Sequence, residues 1–258
     1  MAYSGLSLDG RVAVVVGGTT GIGRTLALGL ADAGADVVAT SRRIEQVEET
    51  AAAVEATGRR TVRATSDVTS KASLEALLAK TLEKLGKVDI LVNCAGAIKR
   101  VPTLEMEDST WDSIIATNLT GTLRSCQVFG RHMLDRGYGR IVNIASLNSF
   151  VAFHEVTAYS ASKSGVVGLT RSLAVEWGPR GVVVNAIAPG VFRTALNQQL
   201  LDGTDRGREL LMRTPLKRFG KLEELVGPTI FFASESAAFV NGQTLAVDGG
   251  FVASGVNQ

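Results

Sequence analysis

Strand-sized apolar runs alternate with helix-length segments about seven times along this chain, and that alternation restricts its possible folds more than any other feature. Residues 12–16 form a continuous apolar run, the mark of a strand covered on both faces. Further strands are read at 35–40, 61–64, 88–92, 140–145, 182–186 and 244–247. Helices are read at 24–33, 45–57, 70–85, 109–133, 157–177 and 222–234, with Gly58 and Gly86 stopping two of them. Apolar strands that need cover on two sides imply a parallel sheet with helices on both faces, and right-handed crossovers make it doubly wound. No Pro/Gly/Ser-rich linker interrupts the alternation, so residues 1–258 read as a single α/β domain. Segment 192–217 is too long for an ordinary crossover. It reads either as a mobile flap over a site or as a surface helical hairpin.

Composition narrows the function classes. A chain of 258 residues builds one sizeable core, and 45% apolar with 20% charged residues is ordinary for a globular protein. A net charge of +2 gives no basic footprint, so nucleic acid is not an expected partner and a small molecule is. The 28 glycines show no three-residue period and point to tight turns. Cys94 and Cys126 make a poor disulfide framework and, with only His132 and His154, no metal site is expected. Residues 1–10 carry no basic leader followed by an apolar stretch, and no apolar run reaches transmembrane length. A cytoplasmic location away from membranes is the default expectation.

The glycine cluster after the first strand marks a nucleotide end. Gly17, Thr19, Thr20, Gly21, Ile22 and Gly23 lie between a buried strand and a helix, where backbone amides and the helix N-terminus receive a pyrophosphate. This makes the fold Rossmann-like, although a glycine-rich turn without a ligand has the same composition. At the end of the second strand stand Ser41, Arg42 and Arg43, with no acidic side chain to hold ribose hydroxyls. An arginine there pairs with a 2′-phosphate, which favours NADP and leaves NAD possible; a solvated helix start is the bland alternative. Asp67, followed by Val68, either holds the adenine amino group or merely starts a helix.

The reacting end is read downstream. Ser146 follows the strand at 140–145, while Tyr159 and Lys163 share one face of a helix. A lysine ammonium lowers a neighbouring tyrosine pKa, the phenol exchanges a proton, and a serine hydroxyl holds the substrate oxygen where charge develops. Asn118 sits in an apolar helical stretch where its side chain competes with the backbone, so it either bends the helix and holds a water or is incidental.

Taken together these motifs resemble the short-chain dehydrogenase/reductase family, compact subtype, over roughly residues 8–251. The glycine loop, Asn93-Cys94-Ala95-Gly96 after the fourth strand, Asn118, Ser146, Tyr159 and Lys163 carry the resemblance. Asn185, Pro189-Gly190, Thr194 and Asp248-Gly249-Gly250 extend it. It implies an NAD(P)-dependent oxidoreductase in which Tyr159 is acid/base, Ser146 holds the oxygen, Lys163 tunes Tyr159 and grips the nicotinamide ribose, and Asn118 maintains a water path. Asn93, Ala95, Gly96, Pro189, Gly190 and Thr194 are implied near the cofactor, and a homotetramer is implied. Val16 and Cys94 depart from the family pattern, replacing a threonine and an asparagine.

For the substrate, Ala97-Ile98-Lys99-Arg100 and the ending 251–258 resemble gluconate 5-dehydrogenase-like members that act on sugar acids. Arg100 is expected to clamp a substrate carboxylate, with Asn148 and His154 binding hydroxyls or tuning the pocket; solvated loop charges are the alternative. A 3-oxoacyl-thioester reductase is the competing enzyme reading, and a catalytically idle nucleotide-binding protein the non-enzyme one.

Overall fold

The computed structural model describes residues 4–194 and 197–255. Parts of the 192–217 reading (195–196), of the leader reading (1–3) and of the ending (256–258) lie outside the described residues. β1 (Val12–Val16) runs into α1 (Gly21–Asp32), followed by β2 (Asp36–Thr40), α2 (Ile44–Ala56), α3 (Lys71–Leu85) and β3 (Ile90–Asn93). Next come α4 (Asp108–Ile115), a π-helical turn (Ala116–Thr120), α5 (Gly121–Arg136), β4 (Gly139–Ile144) and α6 (Thr157–Trp177). β5 (Val182–Pro189), α7 (Gln198–Leu201), α8 (Asp205–Arg213), α9 (Val226–Ala233) and β6 (Thr244–Val247) complete the order.

The strands form one parallel sheet in the order β2-β1-β3-β4-β5-β6. Alternate residues of β1 feed two cores: Val12, Val14 and Val16 pack on one face with Leu77, Phe129 and Trp177, and Ala13 and Val15 on the other with Leu26, Leu30 and Phe232. The sheet is therefore covered on both faces, as the apolar runs require. Chain order reverses between β1 and β3, and ligands of such sheets bind outside the carboxyl ends of strands at that point. Among the described residues, no helix is long and apolar enough to cross a membrane.

Three elements differ from their sequence reading. Segment 61–64 is not a ladder strand. It flanks β2 through Val37 N–H to the Arg60 carbonyl (3.0 Å) and Ser66 N–H to the Ser41 carbonyl (3.0 Å), and the Ala64 carbonyl accepts from the Thr40 hydroxyl (2.7 Å). These scattered contacts hold the segment beside β2 without a regular ladder. The helix expected over 109–133 is split by the π-turn around Asn118. The last helix begins as a 3-10 turn (Leu222–Leu225) before α9, where Pro228 is tolerated because the first turn needs no amide hydrogen bond from it.

The amino-terminal edge of the sheet is fastened by Asp89, which is fully buried. Its carboxylate accepts from Val12 N–H (2.9 Å) and Arg136 Nη1 (3.1 Å), with Lys87 Nζ at 3.0 Å. Beside it His132 Nε2 accepts from Val88 N–H at 3.2 Å, a bond only the unprotonated nitrogen makes. Burial first, and the Arg136 charge second, lower the His132 pKa. A histidine with a folded pKa below its unfolded value of about 6.5 binds fewer protons folded than unfolded, so stability falls as pH drops below about 6.5 until the folded pKa is passed. The expected outcome is a melting temperature that declines between pH 7.5 and 5 less steeply in His132→Gln than in wild type; parallel curves would contradict the role given to His132.

Candidate active site

The loop between β1 and α1 is a cradle built by close backbone approach. Gly17 has φ +77°, and a Cβ there would lie 2.5 Å from Ala95 N, so a side chain meets both strain and the β3 loop. A Cβ on Gly23 would strike the Gly17 carbonyl oxygen. α1 starts without a side-chain cap from Thr20 and with no acidic residue in its first turn, which leaves its amide end positive and available to a phosphate. Thr19 is buried and its hydroxyl donates to Gln46 Oε1 at 3.3 Å, holding the loop to α2, while Ile22 packs into the core. These residues fit a pyrophosphate.

Ser41, Arg42 and Arg43 stand at the carboxyl end of β2. The Ser41 hydroxyl accepts from Arg43 N–H at 3.4 Å, and neither arginine has an ion-pair partner among the described residues. Asp67 Oδ1 accepts from the Thr69 hydroxyl (2.7 Å) and amide (2.9 Å). Its pKa is lowered, chiefly by the Thr69 hydroxyl and then its amide, with a smaller pull from the Arg42 charge. Half of this carboxylate is thus spent on a turn, and Val68 is buried against Gly121.

The reacting groups gather where β4 ends. Ser146 caps the short turn Leu147–Ser149, its Oγ accepting from Asn148 N–H at 3.2 Å. Lys163, only 5% exposed, donates from Nζ to the Ile144 carbonyl at 2.7 Å and stands 5.8 Å from the Tyr159 ring centroid. Burial brings the Lys163 pKa down to about 8. Burial likewise raises the Tyr159 pKa, and the Ser146 hydroxyl partly opposes that rise. The expected lowering of the phenol pKa by Lys163 is not the direction found here: burial of Tyr159 raises it.

Several expected site residues are spent on scaffolding. Asn118 is fully buried in the π-turn; its Oδ1 accepts from Ala97 N–H (2.7 Å), and its Nδ2 donates to the Ala97 carbonyl (2.9 Å) and Ser162 Oγ (3.0 Å). Its side chain clamps the β3 loop, and its carbonyl accepts from the Thr122 hydroxyl at 2.7 Å. A Cβ on Gly96 would lie 3.6 Å from Asn118 Oδ1 and 3.7 Å from Lys163 Nζ, so this loop passes beside the lysine. Asn93 does not face the cradle: its Nδ2 donates to Asn143 Oδ1 (2.9 Å) and to Cys126 Sγ (3.3 Å) inside the core. Cys94 sits beside Lys163, with burial pushing its thiol up to about 11. Asn185 is likewise turned away, bonded to the Val240 carbonyl and Gln243 amide. Pro189 ends β5 opposite Val247, a Cβ on Gly190 would lie 2.6 Å from Asp248 Cα, and Thr194 N–H donates to Asn197 Oδ1 at 2.8 Å ahead of α7.

On the substrate side Asn148 is buried, with Nδ2 donating to Ser160 Oγ at 2.9 Å, and it orders the loop. His154 has a side chain 78% exposed and approaches only Glu155, with Nδ1 at 3.6 Å, so solvent competes for it. Arg100 is not a free cation: its Nε donates to Glu155 Oε2 at 2.6 Å. Glu155, Ser160 and Ser162 were not among the residues singled out from sequence; all three lie in or beside the helix that carries Tyr159, which is the one signal that points to them.

A phenol that supplied its proton only as the substrate oxygen gained charge would make Tyr159→Phe lower turnover on the order of a thousandfold with nucleotide affinity nearly unchanged. Steady-state kinetics with nucleotide titration checks this; near-normal turnover would remove Tyr159 from the chemistry.

Known proteins resemble this chain over nearly its whole length. The family model described as enoyl-(acyl carrier protein) reductase matches residues 16–252. The 2-dehydro-3-deoxy-D-gluconate 5-dehydrogenase of Escherichia coli is 43% identical over 98% of this chain and 100% of its own length. The D-threitol dehydrogenase of Mycolicibacterium smegmatis is 41% identical, covering 95% of this chain and 94% of that protein. The crystal structure of a gluconate 5-dehydrogenase from Burkholderia cenocepacia in complex with NADP and tartrate superimposes with a TM-score of 0.95 at 39% identity, over 99% of this chain and 100% of that one. The chain belongs to the short-chain dehydrogenase/reductase family and is an NAD(P)-dependent oxidoreductase.

Proposed function

We propose that this enzyme interconverts a secondary alcohol and a ketone on a gluconate-type sugar acid, with NADP as the preferred nucleotide and NAD as the alternative. The meeting of Ser146, Tyr159 and Lys163 at the end of β4 carries the reaction class. When bound, the nicotinamide supplies or takes the hydride. Gly17, Thr19, Thr20, Gly21, Ile22 and Gly23 would cradle its pyrophosphate, with Ser41, Arg42, Arg43, Asp67 and Val68 toward the adenosine. Ala95, Gly96, Pro189, Gly190 and Thr194 would line the nicotinamide side.

In reduction, Ser146 Oγ holds the carbonyl oxygen and Tyr159 Oη donates its proton to that oxygen as charge develops on it. The Lys163 ammonium, protonated below about pH 8, stabilises the phenolate that remains. In oxidation the same groups take the alcohol proton. A water path anchored near Asn118 would restore the Tyr159 proton; the main-chain carbonyl of Asn118 suits that role better than its fully bonded side chain.

Arg100 supports a carboxylate-bearing substrate, because only its Nε is bonded among the described residues and its two terminal nitrogens remain to form a bidentate pair. Relatives named for gluconate-type acids support the same class. Two relatives' names favour other readings: D-threitol is an uncharged polyol, and the enoyl-(acyl carrier protein) description keeps a 3-oxoacyl thioester in view. The segment 192–217, in which the Arg193–Asp202 ion pair brackets α7, would close over this end as a flap.

The proposal extends to a cytoplasmic homotetramer. Leu104 and Phe239 are fully exposed, Val175 is 80% exposed on α6, and Leu245 lies on the edge strand β6, surfaces that association would cover. Both thiols, Cys94 and Cys126, are free, in keeping with a reducing compartment.

Kinetics on 5-keto-D-gluconate, an uncharged ketohexose and a 3-oxoacyl thioester test the chemistry. Arg42→Ala should weaken NADP binding about 10- to 100-fold, and NAD much less, for the loss of one charge-assisted contact. Arg100→Ala should lose efficiency selectively on the acid. Equal losses for both nucleotides, or equal effects on all substrates, would reject the respective assignment. Sedimentation is expected to give one species of about four chain masses, and a monomer would refute the assembly.

A further inference from the structure

Glu155 stands apart in the backbone. Only Glu155 and Lys217, among the described non-glycine residues, have positive φ, and Glu155 sits at +64°. That conformation favours glycine or asparagine, so a glutamate there is held against a local preference. Backbone strain of this kind clusters where a side chain must be delivered to one place.

The side chain is delivered to Arg100. Oε2 accepts from Arg100 Nε at 2.6 Å, and the Glu155 carbonyl accepts from Val101 N–H at 2.8 Å, so side chain and main chain hold two adjacent residues. A second tie, between the Thr103 and Thr157 hydroxyls at 2.7 Å, closes the pair of loops. Glu155 is 23% exposed and Arg100 48% in their side chains, an environment in which an ion pair adds little to stability. The groups facing this carboxylate are Arg100 and, from its own loop, His154 Nδ1 at 3.6 Å.

What the contact does fix is direction. A guanidinium presents donors along two edges, and a carboxylate on Nε leaves the edge formed by the terminal nitrogens. Glu155 is also four residues before Tyr159, at the mouth of the helix that brings the phenol to Ser146. The ion pair therefore ties Arg100 to the residue four before Tyr159, just ahead of the helix that carries the phenol.

We propose that Glu155 is a specificity-determining positioning residue, holding Arg100 by Nε so that its terminal nitrogens receive a substrate carboxylate at a set distance from the carbon that reacts at Tyr159. The inference rests on the reading of Arg100 as the carboxylate clamp. Glu155 touches neither substrate nor cofactor; it selects acids by chain length through Arg100.

The test uses the full-length enzyme with 5-keto-D-gluconate and NADPH, comparing Glu155→Ala, Glu155→Gln, Arg100→Ala and the double variant. Glu155→Ala should raise KM about tenfold while kcat stays within about twofold, the pattern of lost ground-state orientation. Glu155→Gln, whose amide oxygen still accepts from Nε, should restore KM. The double variant should be no worse than Arg100→Ala alone. Melting temperature and NADPH affinity should be unmoved in all four. If Arg100→Ala raises KM and Glu155→Ala does not, or if Glu155→Ala lowers kcat and melting temperature together without rescue by glutamine, Glu155 is a loop-packing residue and the proposal falls while the clamp stands. If Arg100→Ala leaves KM unchanged, the clamp itself falls and the proposal with it.

Discussion

A buried ammonium is the constraint around which the rest of this site is organised. Lys163 is withdrawn from water on α6, and the described bond to its Nζ goes to a neutral acceptor, the Ile144 carbonyl at the end of β4. Burying a cation without a carboxylate partner is costly, and the group responds by giving up its proton more easily. In the proposed reaction that incompletely compensated charge stands 5.8 Å from the Tyr159 ring centroid, where it would act on a developing phenolate. Burial raises the Tyr159 pKa as well, so the proposed role of the pair is to donate a proton and then hold the phenolate beside the ammonium. The hydrogen bond to β4 fixes where that happens, one residue beyond the strand and next to Ser146.

Two polar networks hold this arrangement from behind. In the middle of the sheet, Asn93 donates to Asn143, and Asn143 in turn donates to the Thr170 hydroxyl on α6 at 3.0 Å, so β3, β4 and α6 are joined through the core. Nearer the site, the π-turn brings Asn118 against the main chain of Ala97 and against Ser162, one residue before Lys163. A π-turn inserts an extra residue into a helix and reorients the side chains and carbonyls around it, which is why such turns mark functional sites. At the opposite edge, Tyr138 lies between the guanidinium groups of Arg11 and Arg140, at 4.3 Å and 4.6 Å, and all three engage Glu235. This clamp ties β4 to the end of α9, away from the chemistry.

How far the sequence discloses these features depends on how local their causes are. Continuous valine-rich runs announce β1 and β5 because burial on both faces leaves no polar positions. Segment 61–64, Thr61-Val62-Arg63-Ala64, carries a weaker apolar signal, and it flanks β2 through scattered hydrogen bonds without a ladder. Asn118 is legible as an anomaly in an apolar helix, although not the π-turn it creates. The direction of Asn93 could have been read from parity: Leu91, two residues earlier, packs on the Phe129 face, so Asn93 must enter the same core, where Cys126 lies. Arg100 is legible as a cation after the fourth-strand motif. Its tie to Glu155, 55 residues on, depends on a left-handed backbone at a glutamate, which no propensity suggests.

The central proposal, that a desolvated Lys163 ammonium stabilises the phenolate left on Tyr159, is open to direct titration. Nitrogen-15 NMR of selectively labelled lysine, with Lys163→Met to assign the resonance, follows the protonation of Nζ as pH is raised. The account predicts a midpoint for Lys163 of about 8, set apart from the surface lysines. A midpoint with the bulk of the lysines, at about 10.4, would mean that the ammonium is solvated and that the role assigned to it fails.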